Sequence, residues 1–79
     1  MAQCQLEEVF NMKKYTTRLI ELRKEHNFTQ KYVADYLKID RSNYSKYELG
    51  KLEPNIDMLI LLSELYGVSV DYIVGTKDY

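Results

Sequence analysis

Arg41, Ser42, Ser45 and Lys46 lie close together in the stretch "DRSNYSKYELGK", residues 40–51. Their side chains form and accept hydrogen bonds; none sits beside a partner that would make it a nucleophile. At about 100° per residue, Arg41, Ser45, Leu49, Ser42 and Lys46 spread over an arc of about 140°, while Tyr44 and Tyr47 fall on the opposite side. A short helix here turns its tyrosines toward the protein and its small polar and basic groups outward. Arg41 can donate two hydrogen bonds to guanine O6 and N7. Ser42 and Ser45 are short enough to let the backbone approach and can donate or accept. Lys46 reaches a base or a phosphate. Asn43 lies toward the flank, better placed for the sugar–phosphate chain.

Such a helix needs neighbours to hold it. Asp40 is its N-cap and Gly50 its stop. Ahead of it, "TQKYVADYLK" predicts a helix at about 30–37, with Thr29 as N-cap and Tyr32, Val33, Tyr36 and Leu37 recurring at helical spacing. Ala34, the small residue among them, lets another helix come close. Residues 13–26 predict a first helix, with Tyr15, Leu19 and Leu22 in one stripe and Arg18, Glu21, Arg23 and Glu25 outside it. Asn27, which tolerates the left-handed conformation, ends it near His26. After Pro54, Asn55 caps a fourth helix with Asp57 in its first turn. Its Ile56, Leu59, Ile60, Leu62 and Leu65 are the densest apolar stretch, so it reads as the main core element. Gly67 closes it. Ser69 caps a last short helix, Val70 to Val74, in which Tyr72 and Ile73 can pack, and Gly75 stops that turn. No strand alternation, repeat or low-complexity segment is present. The organisation expected is one all-α domain over 13–75, an N-terminal extension over 1–12 and a tail over 76–79. "LEEVF" in the extension either lengthens the first helix or forms its own turn.

Charge is unevenly spread. The formal net charge is −1. Residues 13–51 carry ten Lys/Arg against Glu21, Glu25, Asp35, Asp40 and Glu48, a surplus of +5, inside an acidic frame. That pattern fits a small nucleic-acid binder with a low pI, and equally an ordinary mixed surface. Gln30, in the first turn of the second helix, sits where free N–H groups and the positive dipole end favour an anion. The start of the fourth helix around Asn55 offers the same chemistry. Lys31 and Lys51 can add charge there, and Lys31 reads equally as a solvated surface residue.

Other function classes are poorly served. A chain of 79 residues is one domain near the lower limit for a single core, which favours compact helices over a large cleft. There is no Ser–His–Asp set, no carboxylate pair in a plausible pocket, no phosphate-binding glycine loop and no Cys/His spacing for a metal. An enzyme, a cofactor and a small-molecule ligand are therefore not expected. The one cysteine, Cys4, allows no internal disulfide and reads as a bystander thiol in a reducing compartment. His26 reads as a solvated helix-end residue. The longest apolar run, "MLILL", is too short to span a bilayer. "MAQCQLEEVF" has no basic leader, so a cytoplasmic location is expected.

Two short helices separated by a turn of three to four residues, the first with a central alanine, form a helix-turn-helix unit. Residues 18–75 resemble the DNA-binding domain of the Cro/C1-type (XRE family) regulators. The resemblance rests on "LR" in helix one, "TQ" opening helix two, "VA" within it, "S-x-Y-S-x-Y-E-x-G" through helix three, the Pro before helix four, and "GVSVDYIVG" at the end. Each piece is weak; in order and at these spacings they are specific. The resemblance implies a five-helix, lambda-repressor-like bundle that binds an operator sequence, commonly as a dimer. It carries the phosphate-contacting Gln onto Gln30 and the base-reading positions onto Arg41, Ser42, Ser45 and Lys46. It carries buried positions onto Tyr44, Tyr47, Val33, Ala34, Leu37 and Leu59. Three departures stand out. Lys38 occupies a usual Gly position in the turn, which costs on the order of 1 kcal/mol if the backbone there is left-handed. Asn27 occupies another, and suits it. Ile20 stands where the family tends to place a charge, either exposed or packed under the N-terminal extension or a partner.

The expected function is a sequence-specific transcriptional regulator that binds double-stranded DNA as a homodimer, with helix three in the major groove. Half-sites would lie about 34–36 Å apart. Tyr66, Val68, Tyr72, Val74 and the tail are the expected self-contact. The rival is an antitoxin-like protein-interaction module, with DNA binding secondary.

Overall fold

The structure is a computed structural model and describes residues 14–76. The N-terminal extension, and the tail beyond Thr76, lie outside the described residues. Five helices follow one another: α1 (Lys14–Glu25), α2 (Gln30–Leu37), α3 (Arg41–Leu49), α4 (Ile56–Tyr66) and α5 (Val70–Val74). No strand occurs among the described residues. The chain has the all-α, helix-turn-helix architecture expected from its sequence.

Three helix starts and the helix ends have local causes. The side chains of Thr29, Asn55 and Ser69 accept hydrogen bonds from Tyr32 N, Met58 N and Tyr72 N, capping α2, α4 and α5. At the end of α1, Asn27 takes φ 58°. Phe28 N then reaches back to Arg23 O at 3.0 Å, closing the last turn. At the end of α2 the same device falls on Lys38, with φ 62° and ψ 41°, and Ile39 N bonds Ala34 O at 3.0 Å. The sequence-level condition on Lys38 is thus met: a side chain with a Cβ holds a left-handed position. Only Lys38, Ile39 and Asp40 separate α2 from α3, so the two helices sit at a fixed angle.

The core is shared by all five helices. Tyr15, Leu19 and Leu22 of α1 meet Val33, Ala34 and Leu37 of α2, Tyr44 and Tyr47 of α3, Leu62 and Tyr66 of α4, and Ile73 of α5. The α1 stripe and the inward tyrosines of α3 are as the spacing predicts. Leu59 is partly buried against this core. The Arg18 guanidinium lies 3.9 Å above the Tyr72 ring and donates to Tyr72 O at 2.9 Å, clamping α1 to α5.

Four expectations need correction. Tyr32 and Tyr36 are exposed, because Val33, Ala34 and Leu37 already fill the inward arc of α2. Tyr32 instead stacks on Phe28, with ring centroids 4.4 Å apart. Not every apolar residue of α4 serves the core: Ile56 is 73% exposed and Ile60 45%, while Leu62 and Tyr66 are buried and Leu59 and Leu65 pack at its margin. Its apolar residues run round more of the helix than one packed face can cover. Arg23 is not on the solvent side of α1 but half-buried in an ion pair. Tyr66, expected in a self-contact, is buried against the rings of Phe28 and His26.

Candidate nucleic-acid interface

The outer edge of α3 stands over an ion pair between half-buried Arg23 and buried Glu48. Arg23 Nε donates to Glu48 Oε2 at 2.7 Å and Arg23 Nη2 to Glu48 Oε1 at 3.2 Å, while Nη1 donates to Phe28 O at 3.1 Å. This ties α1 to the inner side of α3. Burial alone would raise the Glu48 carboxyl. Hydrogen bonds from Arg23 and Gln30 outweigh it and hold the group below the usual carboxylate range. The same pair, led by the bond to Glu48, raises Arg23.

Two tyrosines roof the pair. Burial pushes the Tyr44 hydroxyl far above the usual phenol range and Tyr66 up to about 12. The Tyr44 hydroxyl lies near enough to favour a charged Glu48. Yet neither hydroxyl makes a hydrogen bond of ordinary geometry among the described residues.

From Glu48 the network climbs to the surface. Gln30 Nε2, at the start of α2, donates to Glu48 Oε1 at 3.0 Å. Gln30 Oε1 in turn accepts a long bond of 3.4 Å from Arg41 Nη1, at the start of α3. The side chain of Gln30 therefore has both ends engaged, and what it leaves for an anion is the free backbone N–H at the α2 N-terminus. Arg41 is exposed and held only lightly.

The other sequence-predicted residues distribute as follows. Ser42, Asn43 and Lys46 are exposed on α3, and Ser45 is half-buried between them. Lys51 is exposed just past Gly50. Asn55 is exposed and uses Oδ1 to cap α4, accepting from Met58 N at 2.9 Å, so the cap does not use its amide N–H groups. Lys31 is exposed but paired with Asp35 at 3.0 Å. Such a surface pair is worth about 0–1 kcal/mol and gives way readily to a phosphate. The structure thus joins Arg41 to Gln30 directly and sets Ser42, Asn43, Ser45 and Lys46 on the same helix. Lys31, Lys51 and Asn55 stand on separate elements.

Sequence reasoning missed Arg23 and Glu48. The signal was there: Glu48 follows Tyr44 by one helical turn, so it falls on the inward side. A carboxylate in that place requires a cationic partner.

A polar edge on the second helix of a tight helix pair, pinned from beneath, defines a helix-turn-helix protein. The helix-turn-helix family model matches residues 19–73, most of the chain. The chain belongs to this family, and the Cro/C1-type resemblance stands. It is 44% identical over 64 residues to the HTH-type transcriptional regulator YobD of Bacillus subtilis, covering 81% of this chain and 57% of that one. It is 45% identical over 61 residues to the regulator ImmR of the same organism, covering 77% and 48%. It is 34% identical over 62 residues to the cryptic phage CTXphi transcriptional repressor RstR of Vibrio cholerae, covering 78% and 55%. The chain spans about half the length of these relatives. No solved structure matches it. No helix among the described residues is long and apolar enough to cross a membrane.

Proposed function

We propose that the chain is a sequence-specific DNA-binding transcriptional regulator. Helix α3 enters the major groove, where Arg41, Ser42, Ser45 and Lys46 meet base edges. The α2 N-terminus at Gln30, together with Lys31, Asn43, Lys51 and Asn55, meets the phosphates. The observation that carries this reading is the Glu48–Gln30–Arg41 chain of hydrogen bonds. It links the proposed phosphate-facing helix end to the first candidate reader, so contact with the backbone biases where Arg41 points. The names of the relatives, all transcriptional regulators, support it.

The protein acts as a homodimer on a palindromic operator. A self-contact needs exposed apolar surface beside the DNA edge. Tyr66 does not supply it. Leu49, Leu52, Ile56 and Ile60, all exposed, lie at the end of α3 and the start of α4, where a second copy can reach them. Selection from a random duplex library with the purified protein tests the whole reading. Enrichment of an inverted repeat is the expected result. Enrichment of a single half-site removes the dimer, and no enrichment removes sequence reading.

A further inference from the structure

Asp40 stands at the tip of α3, immediately before Arg41. Its backbone is extended, as an N-cap requires, and Tyr44 N bonds its carbonyl at 3.0 Å. Its carboxylate, however, makes no capping hydrogen bond. Arg41, the nearest cation in sequence, is turned to Gln30 instead. No ion pair or hydrogen bond joins the Asp40 side chain to any described residue, and the residue is exposed. An un-neutralised carboxylate therefore leads the edge that faces the duplex.

Facing a polyanion, such a group is repelled unless a donor meets it. In the major groove the base-edge donors are the amino groups of cytosine N4 and adenine N6. We propose that Asp40 is a specificity-determining residue: its carboxylate accepts a hydrogen bond from the exocyclic amino group of a cytosine or adenine in the major groove. Asp40 and Arg41 then act as neighbouring acceptor and donor. Arg41 selects guanine, and Asp40 selects an amino-bearing base at an adjacent position. Base pairs that offer Asp40 only acceptors are rejected by charge as well as by the lost bond. This rests on the reading of α3 as the groove helix.

The test uses the full chain, as wild type and as Asp40→Asn and Asp40→Ser. Both replacements keep a side chain able to cap α3, and thermal melts check that the bundle is intact. Each protein is titrated with the selected duplex, with that duplex changed at one pair at a time, and with a scrambled duplex. The wild type is expected to discriminate about tenfold or more for cytosine or adenine at one position. Both variants lose that discrimination, bind the scrambled duplex more tightly, and keep the guanine preference set by Arg41. If a variant shifts every duplex by the same factor, the carboxylate is only a general repulsive charge and the proposal falls. A wild type that enriches no sequence removes the groove reading itself. A wild type that enriches a site whose discrimination survives both variants removes only the role of Asp40.

Discussion

The two ends of the bundle are stabilised by different means. Around α2 and α3, charge is buried: Arg23, Glu48 and Gln30 lie in one hydrogen-bonded chain beneath the outer edge. Around α4 and α5, the inward residues are Leu62, Tyr66 and Ile73, with Arg18 clamped across Tyr72 at the margin. Apolar packing holds elements together without dictating the direction of any one side chain. A bidentate ion pair dictates direction, and is a poor route to stability when an apolar replacement would pack as well. The polar network lies under the face that carries Arg41. The apolar packing lies on the side away from that edge.

The largest effect that tests this contrast is at Glu48. Glu48→Ala leaves half-buried Arg23 without its carboxylate partner, with only the bond to Phe28 O remaining, and is expected to destabilise the fold by about 2–4 kcal/mol. Leu62→Ala, in the apolar half, costs a comparable 2–5 kcal/mol or so through its cavity. Acid separates the two. Glu48 has its pKa lowered in the folded state, so its contribution is full above the ordinary carboxylate value, about pH 4, and is lost as pH falls below it. Urea midpoints measured from pH 7 down to pH 3 should fall steeply for the wild type and for Leu62→Ala. They should fall less steeply for Glu48→Ala. Parallel curves for all three would show that the ion pair does not set the acid limb.

What was legible in the sequence divides instead between local and long-range features. Caps, stops and the α1 stripe follow from single residue types at fixed offsets, and they stood where Thr29, Asn55, Ser69 and Gly67 predicted. The exposure of Tyr32, Tyr36, Ile56 and Ile60 was not legible. Helical spacing shows which residues share a face, not how wide a face the neighbouring helices cover. The Arg23–Glu48 pair was missed for a related reason. A charged residue reads as solvated until its partner is known, and the partner lies 25 positions away. The candidate readers can be named from sequence because they belong to one short helix, whose geometry is local.

The next effect in size is at the edge itself. Arg41→Ala is expected to cost about 1–3 kcal/mol on the selected duplex and to relax preference at one base pair. Stability should barely move, since Arg41 is exposed and its bond to Gln30 is long. Competition between the selected and a scrambled duplex measures it; an unchanged ratio removes Arg41 from the readers. Smaller again is Lys38→Gly. It relieves a left-handed side chain at φ 62° and should raise stability by up to about 1 kcal/mol, less the extra freedom glycine brings to the unfolded chain. A lower melting midpoint would mean that the Lys38 side chain contributes contacts that offset its backbone strain.

The smallest effect is the most diagnostic of how the edge meets DNA. Lys51 follows Gly50, and its N–H bonds Lys46 O at 3.0 Å, so its backbone is fixed by the end of α3 while its side chain is exposed. In the proposed complex Lys51 meets phosphate by charge alone and carries no sequence information. Lys51→Ala should therefore weaken selected and scrambled duplexes by the same factor, and lower the slope of log K against log salt by about one. Arg41→Ala, by contrast, should change the ratio between duplexes more than the slope. The two substitutions probe opposite ends of one nine-residue helix. If Lys51→Ala alters the ratio and Arg41→Ala alters only the slope, α3 lies in the groove the other way round, with its C-terminal end at the bases.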